Sequence, residues 1–391
     1  MADQRFTESG DDRLEADIAA MLAEVAGRAA TIPGVQAVLL GGSLGRGEGT
    51  VRRTADGDEL ASDVEIFLVG ADRGLRRAAE RLSREAGGAA GADLSAAWLD
   101  ADALRLGRAK NLSRRPSKTI RLYELEAGSR LLHGRLPEIL HVEPAQIPVA
   151  EGVREILNRL AEAAPQLAAG SADVQRWSDK LLMACGNTLL LASGGYAASY
   201  RERWRRLADV ESDWALPPTW RLRVRDAYAR KLDPTGGEVE MPPTDEVAEI
   251  SRAFLAASVP VAAGISLEPI RTFPERYVVA AARREELLRY LPPAGPAATY
   301  EGLIVLLRIL RARWPLAGRA IWQALLGRPL SLWLQAAAAP LYVGIAQQRA
   351  DLIESARAAL LAAGLPRRRV DGATTPVALA TLLRGYWQLS A

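Results

Sequence analysis

The chain has few of the residue types that carry the commonest redox and metal chemistry. Its 391 residues include one cysteine, Cys185, and two histidines, His133 and His141. One cysteine cannot form an intramolecular disulfide, and no Cys/His spacing resembles a zinc site. A mechanism that depends on a histidine base therefore has only two candidates.

Lysine is also scarce, so arginine carries nearly all of the positive charge. Lysine occurs only at positions 110, 118, 180 and 231, among 50 basic residues. The net charge is +3 and the isoelectric point is about 9.1. The arginines are spread along the chain among acids, which is typical of an arginine-biased composition rather than of one dedicated phosphate-binding surface. A hydrophobic share of 49% and a charged share of 25% are typical of soluble globular proteins.

No hydrophobic run is long and continuous enough to predict a membrane span, although one stretch comes close to that length. Residues 329–346, PLSLWLQAAAAPLYVGIA, are nearly uncharged over about one membrane span. Gln335 and Pro340 interrupt this stretch and alanine dominates it, so the pattern predicts a buried pair of helices and no membrane span. The N-terminus is polar and acidic and lacks the pattern of a signal peptide, which predicts a cytoplasmic location.

The first part of the chain alternates between helical and extended patterns. Apolar spacing and glycine or proline breaks predict helices at 12–30, 72–86 and 117–129, strands at 35–40, 63–69 and 92–98, a glycine-rich turn at 41–49 and a polar loop at 51–61. This pattern predicts an α+β domain, with a short mixed sheet and flanking helices, over residues 1–148.

After Pro148 the extended patterns disappear and helical spacing dominates. Predicted helices lie at 151–168, 173–192, 197–208, 219–232, 245–262, 274–290, 299–313, 351–363 and 376–389. We expect an all-α C-terminal region in two parts, a helical domain at 149–240 and a C-terminal helical domain at 241–391.

The segment with chemical content is residues 38–70, VLLGGSLGRGEGTVRRTADGDELASDVEIFLVG. Asp63 and Glu65 are two apart in a predicted strand, so both side chains project to the same side. Two carboxylates held this close repel each other unless a cation lies between them. A hard divalent cation with oxygen ligands, such as Mg²⁺, fits the pair.

The turn before this strand is suited to an anion. Without a Cβ, glycine lets backbone N–H groups approach a phosphate closely, and Ser43 adds a hydroxyl after Gly42. Arg46 could place a guanidinium on a terminal phosphate. No Gly-Lys-Ser/Thr sequence of a Walker A loop is present, and the glycine spacing does not match G-x-G-x-x-G.

Together these residues resemble a known signature. Gly42-Ser43 followed by Asp63-x-Glu65 between apolar residues resembles the motif of the nucleotidyltransferase superfamily, most closely its small bacterial domains. Residues 123–134, YELEAGSRLLHG, resemble the helix and short strand that close such domains. The resemblance covers roughly residues 30–140. Many members of the superfamily carry a helical C-terminal domain that forms the acceptor side, which the resemblance implies for residues 149–240. Glu65 stands where many relatives have aspartate.

The resemblance implies a metal-dependent enzyme that transfers a nucleotidyl group from a nucleoside triphosphate such as ATP to an acceptor hydroxyl. It implies Asp63 and Glu65 as metal ligands, two Mg²⁺ ions, and triphosphate contacts from Gly42, Ser43 and Arg46. It also implies a third carboxylate, which is a metal ligand or the base for the acceptor. Asp93 matches it best by position, with Asp100 and Asp102 as alternatives that also suit helix caps.

Three questions stay open at the level of the sequence. The acceptor is a small molecule, a protein hydroxyl or an RNA end, with no nucleic-acid partner favoured, because the tryptophans among the arginines of residues 200–230 have core spacing. A non-catalytic nucleotide-binding or antitoxin-like module and an RNA-directed nucleotide-adding enzyme are alternative functions. The sequence contains no pattern that indicates the oligomeric state.

Overall fold

The computed structural model describes residues 5–8, 10–55, 57–87, 93–107, 119–210, 214, 216–234, 241–262 and 330–390. The chain divides into two compact units. Unit 1 comprises Met1–Ile147, Gly194–Val210 and Tyr228–Val239; unit 2 comprises Pro148–Ser193, Glu211–Ala227 and Glu240–Ala391. The predicted division into domains 1–148, 149–240 and 241–391 stays a prediction.

Unit 1 is an α+β unit with two small sheets. Its elements up to the end of the first segment are α1 (Asp12–Ala30), β1 (Ala37–Leu40), the single turn α2 (Gly42–Gly45), β2 (Val51–Thr54), β3 (Gly57–Leu60), β4 (Val64–Val69), α3 (Leu75–Gly87), β5 (Leu94–Leu99), α4 (Ala101–Leu106), α5 (Thr119–Gly128), β6 (Arg130–Gly134) and the 3-10 turn Pro144–Gln146. The later segments add α8 (Tyr200–Asp209) and the end of α9 (Pro218–Leu232).

The main sheet is mixed, as predicted. Its strand order is β5-β4-β1-β6, with β4 and β5 parallel and β1 antiparallel to both β4 and β6. The hydrophobic positions of α1 recur at helical spacing, and Asp11 caps the helix by accepting a hydrogen bond from the Leu14 N–H. This stripe packs on one face of the sheet, to which β4 contributes Val64, Ile66 and Leu68.

Helix α3 covers the same face of the sheet. Its buried residues Ala79, Leu82 and Ala86 join the core that α1 forms on the sheet. Ser83 of α3 accepts a hydrogen bond from the Ala96 N–H of β5 at 2.6 Å. Because strand residues alternate between faces, Glu65, Phe67 and Val69 of β4 point to the opposite face.

The prediction of a polar loop at 51–61 is wrong. Strands β2 and β3 pair here as an antiparallel hairpin, with Val51 opposite Leu60 and Arg52 opposite Glu59. Only Val51 is fully buried, so the segment lacks the alternation of apolar residues that identifies a strand. Arg52 and Glu59 form a cross-strand ion pair at 2.7 Å, which adds to the pairing of Val51 with Leu60 at the core.

Unit 2 is helical throughout its described residues. It contains α6 (Val149–Ala168), α7 (Val174–Ala192), the first part of α9, α10 (Thr244–Ala262), α11 (Leu330–Ala346), α12 (Ala350–Ala362), α13 (Arg367–Gly372) and α14 (Pro376–Ser390). Helix α6 packs against α7, α10, α11 and α14. Leu160 of α6, Leu181 of α7 and Leu341 of α11 are among its fully buried side chains.

The stretch at 329–346 forms one helix rather than the predicted pair. Helix α11 continues through Pro340, and Leu334, Leu341 and Tyr342 along its length are buried. Within the described ranges no helix has the length and apolar character needed to cross a membrane. The helices predicted at 274–290 and 299–313 lie outside the described residues.

Candidate functional site

The two predicted acids lie at the start of β4, on the face of the sheet opposite α1 and α3. Asp63 directly precedes β4 and Glu65 is its second residue, while Val64 and Ile66 are fully buried in the core. Alternation along the strand therefore places Asp63 and Glu65 together on the other face. Both acids are half-buried.

Asp93 lies at the corresponding place on the neighbouring strand. The Val64 N–H donates to the Asp93 carbonyl at 2.9 Å, and Val64 pairs with Leu94 in parallel register. Asp93 thus sits beside Asp63 at the same end of the sheet, with an exposed side chain. However, among the residues that the structure describes, no three Asp, Glu, His or Cys side chains are grouped closely enough to hold a metal ion. The sheet places Asp93 beside Asp63, but the carboxylates of Asp63, Glu65 and Asp93 do not form one cluster.

The alternative third acids have different positions. Asp100 is the N-cap of α4, where its carboxylate accepts a hydrogen bond from the Ala103 N–H at 3.1 Å. Asp102 lies in the first turn of α4 and pairs with Arg105 at 3.1 Å. Both carboxylates therefore serve the helix in which they lie.

The glycine turn is in direct contact with Glu65. The Gly41 N–H donates to the Glu65 carbonyl at 2.9 Å, which continues the pairing of β1 with β4. Gly42 has a φ of +63°, and a Cβ at this position would lie 2.8 Å from Oε1 of Glu65. Glycine is required here both for the left-handed backbone and for room beside the carboxylate. The turn and the acid thus form one surface.

Ser43 is held by an internal hydrogen bond. Its side chain is buried and donates to the Ser62 hydroxyl at 3.1 Å. Ser62 in turn accepts from the Thr50 N–H at 2.7 Å and from the Lys231 ammonium at 3.1 Å. The residue before Asp63 is therefore tied to the glycine turn, and one of the four lysines of the chain lies beside it. No local pattern around Lys231 indicated this position.

Arg46 points inward. Its side chain is 7% exposed, its Nε donates to Glu48 at 3.2 Å, and its guanidinium lies 4.8 Å from the centre of the Tyr200 ring. Burial opposes the charged form, but nearby groups, including the carboxylates of Glu124 and Glu48, raise the pKa of Arg46 above its usual value. The phosphate contact expected of Arg46 stays a prediction, and the side chain is already committed to this ion pair.

Glu48 anchors the glycine turn to α8. Its buried carboxylate accepts hydrogen bonds from the Ser199 hydroxyl at 2.6 Å, the Tyr200 N–H at 2.9 Å and the Arg201 N–H at 3.0 Å. These are donors at the N-terminus of α8, where a negative charge is favourable. With Arg46 as its fourth partner, Glu48 links the turn to a helix that is distant in sequence.

The environment of Glu65 favours a cation. Burial and the like charge of Glu124 raise the pKa of Glu65, and Asp63 adds to this, while Arg46 and Arg121 oppose it. A carboxylate in this position gains from any positive charge that approaches it. The oxygen donors of Asp63 and Glu65 suit Mg²⁺, which proteins often hold with one or two carboxylates while substrate phosphates supply further ligands.

A second charge pair, which includes Glu124, contributes to the electrostatic environment of Glu65. Glu124 of α5 accepts a hydrogen bond from the Tyr196 hydroxyl at 2.7 Å and pairs with Arg203 of α8. Burial would raise the pKa of Glu124, but the charges of Arg203 and Arg46 lower it overall. Arg203 is 2% exposed and also donates to the Ala198 carbonyl at 3.0 Å. Glu124 is therefore an anion that pairs with Arg203 and is further stabilised by the charge of Arg46, a role that no motif indicated.

Comparison with family models, with curated proteins and with solved structures found no match for this chain. The resemblance of residues 30–140 to nucleotidyltransferases therefore rests on the motif itself.

Proposed function

We propose that unit 1 is a metal-dependent nucleotidyltransferase. It would transfer a nucleoside monophosphate from a triphosphate to an acceptor hydroxyl of a small molecule or a protein, with release of pyrophosphate. The observation that carries the proposal is the contact between Gly42 and the Glu65 carboxylate, on the face of the sheet from which Asp63 also projects. An anion at the turn would lie beside two metal-ligating acids.

Asp63 and Glu65 are the residues that would hold magnesium. Magnesium held by these two carboxylates would neutralise the charge that develops during phosphoryl transfer. The raised pKa of Glu65 supports this assignment, because burial and the like charges of Glu124 and Asp63 outweigh the positive charges of Arg46 and Arg121.

The turn would hold the triphosphate. Backbone N–H groups near Gly42 supply dipoles, and the Lys231 ammonium supplies a full charge next to Ser62. Ser43 keeps the turn attached to the residue before Asp63 through its hydrogen bond to Ser62. Arg46 and Glu48 keep the turn attached to α8. In this proposal Arg46 positions the turn rather than contacting the terminal phosphate.

Asp93 is the proposed base. The acceptor oxygen attacks the α-phosphorus, the bond from that phosphorus to the bridging oxygen breaks, and the acceptor proton passes to Asp93. Its exposed carboxylate lies at the end of the strand next to Asp63, on a side where an acceptor can approach from solvent.

The test is mass spectrometry of the protein and of candidate acceptors after incubation with each nucleoside triphosphate and Mg²⁺, starting with ATP. We expect a nucleotidyl mass increase and pyrophosphate with the native chain, and loss of at least about 100-fold with Asp63→Asn. Glu354→Gln removes an exposed acid in unit 2 and is the matched control. If the native chain binds triphosphate but releases no pyrophosphate with any acceptor, the non-catalytic binding module is the correct function.

A further inference from the structure

Helix α3 has an exposed charge pattern that the proposed reaction does not use. Residues 73–87 contain five arginines and two glutamates, all of them exposed. Glu80 pairs with Arg76 at 3.4 Å, and Glu85 pairs with Arg28 of α1 at 2.8 Å. Both acids of the helix are therefore engaged with arginines.

Four arginines of this segment, Arg73, Arg77, Arg81 and Arg84, form no ion pair within the described part of the chain. At 3.6 residues per turn Arg77, Arg81 and Arg84 follow one side of α3 and span about 10 Å along its axis, and Arg73 precedes the helix by two residues. We call these four residues the arginine stripe. Residues 88–92, which follow α3, carry no charge, so the sequence there supplies no acid to neutralise it.

We propose that the arginine stripe binds the phosphate backbone of a single nucleic-acid strand. A row of unpaired guanidinium groups is complementary to a row of phosphates. The exposed residues of α3 include no aliphatic or aromatic side chain, so the helix has nothing to insert into a membrane and nothing on which bases could stack. Binding is therefore expected to be independent of base sequence.

The packing of α3 disfavours a duplex groove. Helix α3 packs against β5 along one side, and the pair between Glu85 and Arg28 connects it to α1. Base readout in a duplex needs an element that enters the major groove, whereas α3 is packed along one side against the sheet and is linked to α1. A single strand can instead lie across the exposed face.

The stripe is separate from the proposed active site. Helix α3 contributes Ala79 and Leu82 to the core face of the sheet, whereas Asp63 and Glu65 project from the opposite face. A strand on the stripe would thus tether the protein to a nucleic acid without occupying the glycine turn. This inference does not depend on the proposed activity.

The test is fluorescence anisotropy of a labelled 20-nucleotide oligouridylate with the full chain at several salt concentrations. Each phosphate contact to a single strand contributes about 0.7 to the slope of log K against log salt, so four contacts predict a slope near −3. The variant Arg77→Gln/Arg81→Gln is expected to weaken binding at least tenfold at low salt and to reduce the slope by about 1.4. Glutamine favours helices, so α3 should persist, as circular dichroism can verify.

The matched control is Arg349→Gln/Arg367→Gln. It removes the same charge from exposed arginines of unit 2 and should change affinity less than twofold. If both double variants weaken binding equally, the effect comes from net charge alone and the proposal is overturned. Absence of salt-dependent binding by the native chain would also overturn it, as would equally tight binding of polyglutamate, which would indicate an acidic protein partner. Asp63→Asn should bind the oligouridylate normally, which separates this inference from the proposed activity.

Discussion

The buried pair of Arg46 and Glu48 offers the most quantitative test of the structure. The two side chains are 7% and 6% exposed and lie 3.2 Å apart, and Glu48 also accepts two backbone hydrogen bonds at the start of α8. Removing one partner of a buried pair costs about 3–5 kcal/mol, because the remaining charge is buried without compensation. Glu48→Gln keeps one acceptor oxygen, so we expect a loss near the lower limit, about 3 kcal/mol.

Thermal unfolding followed by circular dichroism measures this loss. For a unit of this size, 1 kcal/mol shifts Tm by about 2–4 °C, so Glu48→Gln should lower the Tm of unit 1 by roughly 10 °C. The control is Glu59→Gln, which breaks the pair with Arg52. That pair is shorter, at 2.7 Å, but its side chains are 68% and 51% exposed. Exposed pairs contribute less than about 1 kcal/mol, so Tm should fall by at most a few degrees.

Equal shifts for the two variants would refute the reasoning, since burial would then not decide the contribution of the pair. If Glu48→Gln fails to fold, the double variant Arg46→Met/Glu48→Leu still tests whether the buried ion pair decides the loss of stability. Replacing both charges leaves neither one unpaired, so the double variant should be more stable than Glu48→Gln. A double variant that is no more stable would show that the hydrogen bonds to α8, not the ion pair, dominate.

Two further predictions concern the carboxylate at the glycine turn. Glu65→Gln should abolish transfer and yet raise Tm at pH 7–8. The pKa of Glu65 is raised in the folded state, so its carboxyl group stabilises the fold at low pH, and this contribution is lost as pH rises through the pKa of the folded state. Its advantage over the native chain should shrink toward pH 4, as Tm measured against pH will show. Gly42→Ala should lower activity through displacement of Glu65 Oε1, whereas Gly170→Ala, with a similar φ of +60° and no neighbour within 4 Å, should cost only about 1 kcal/mol of backbone strain.

Each of these predictions has a contrary outcome. A Glu65→Gln variant that is less stable than the native chain at pH 8 would mean that Arg46 and Arg121 already compensate the carboxylate. Equal activities of Gly42→Ala and Gly170→Ala would mean that the contact of the turn with Glu65 has no role in the reaction.

Much of unit 1 follows from local sequence patterns. The apolar spacing of residues 12–30 predicted α1 with the same ends that the structure shows, and the short apolar runs predicted β1 and β4 within a few residues. The placement of Asp63 and Glu65 on one face needs only the two-residue period of a strand. These features are local, so the nearest neighbours in sequence carry the information.

The polar interior could not be predicted in this way. Glu48 and Ser199 are 151 positions apart, and Glu124 and Arg203 are 79 positions apart. No periodicity links such residues, since a charge can be buried wherever the fold brings a partner to it. The hairpin at β2 and β3 was missed for a related reason, because cross-strand pairing of polar residues leaves no apolar alternation.

The sequence by itself therefore determined the class of unit 1, the strand that carries the two acids, and the glycine turn before it. Only the tertiary structure decided what those residues touch: Glu65 against Gly42, Arg46 turned inward onto Glu48, and Lys231 beside Ser62. Local propensity sets which side of an element a side chain faces. The partners of a buried charge are set by the packing of distant segments, which satisfies each charge only in the folded chain.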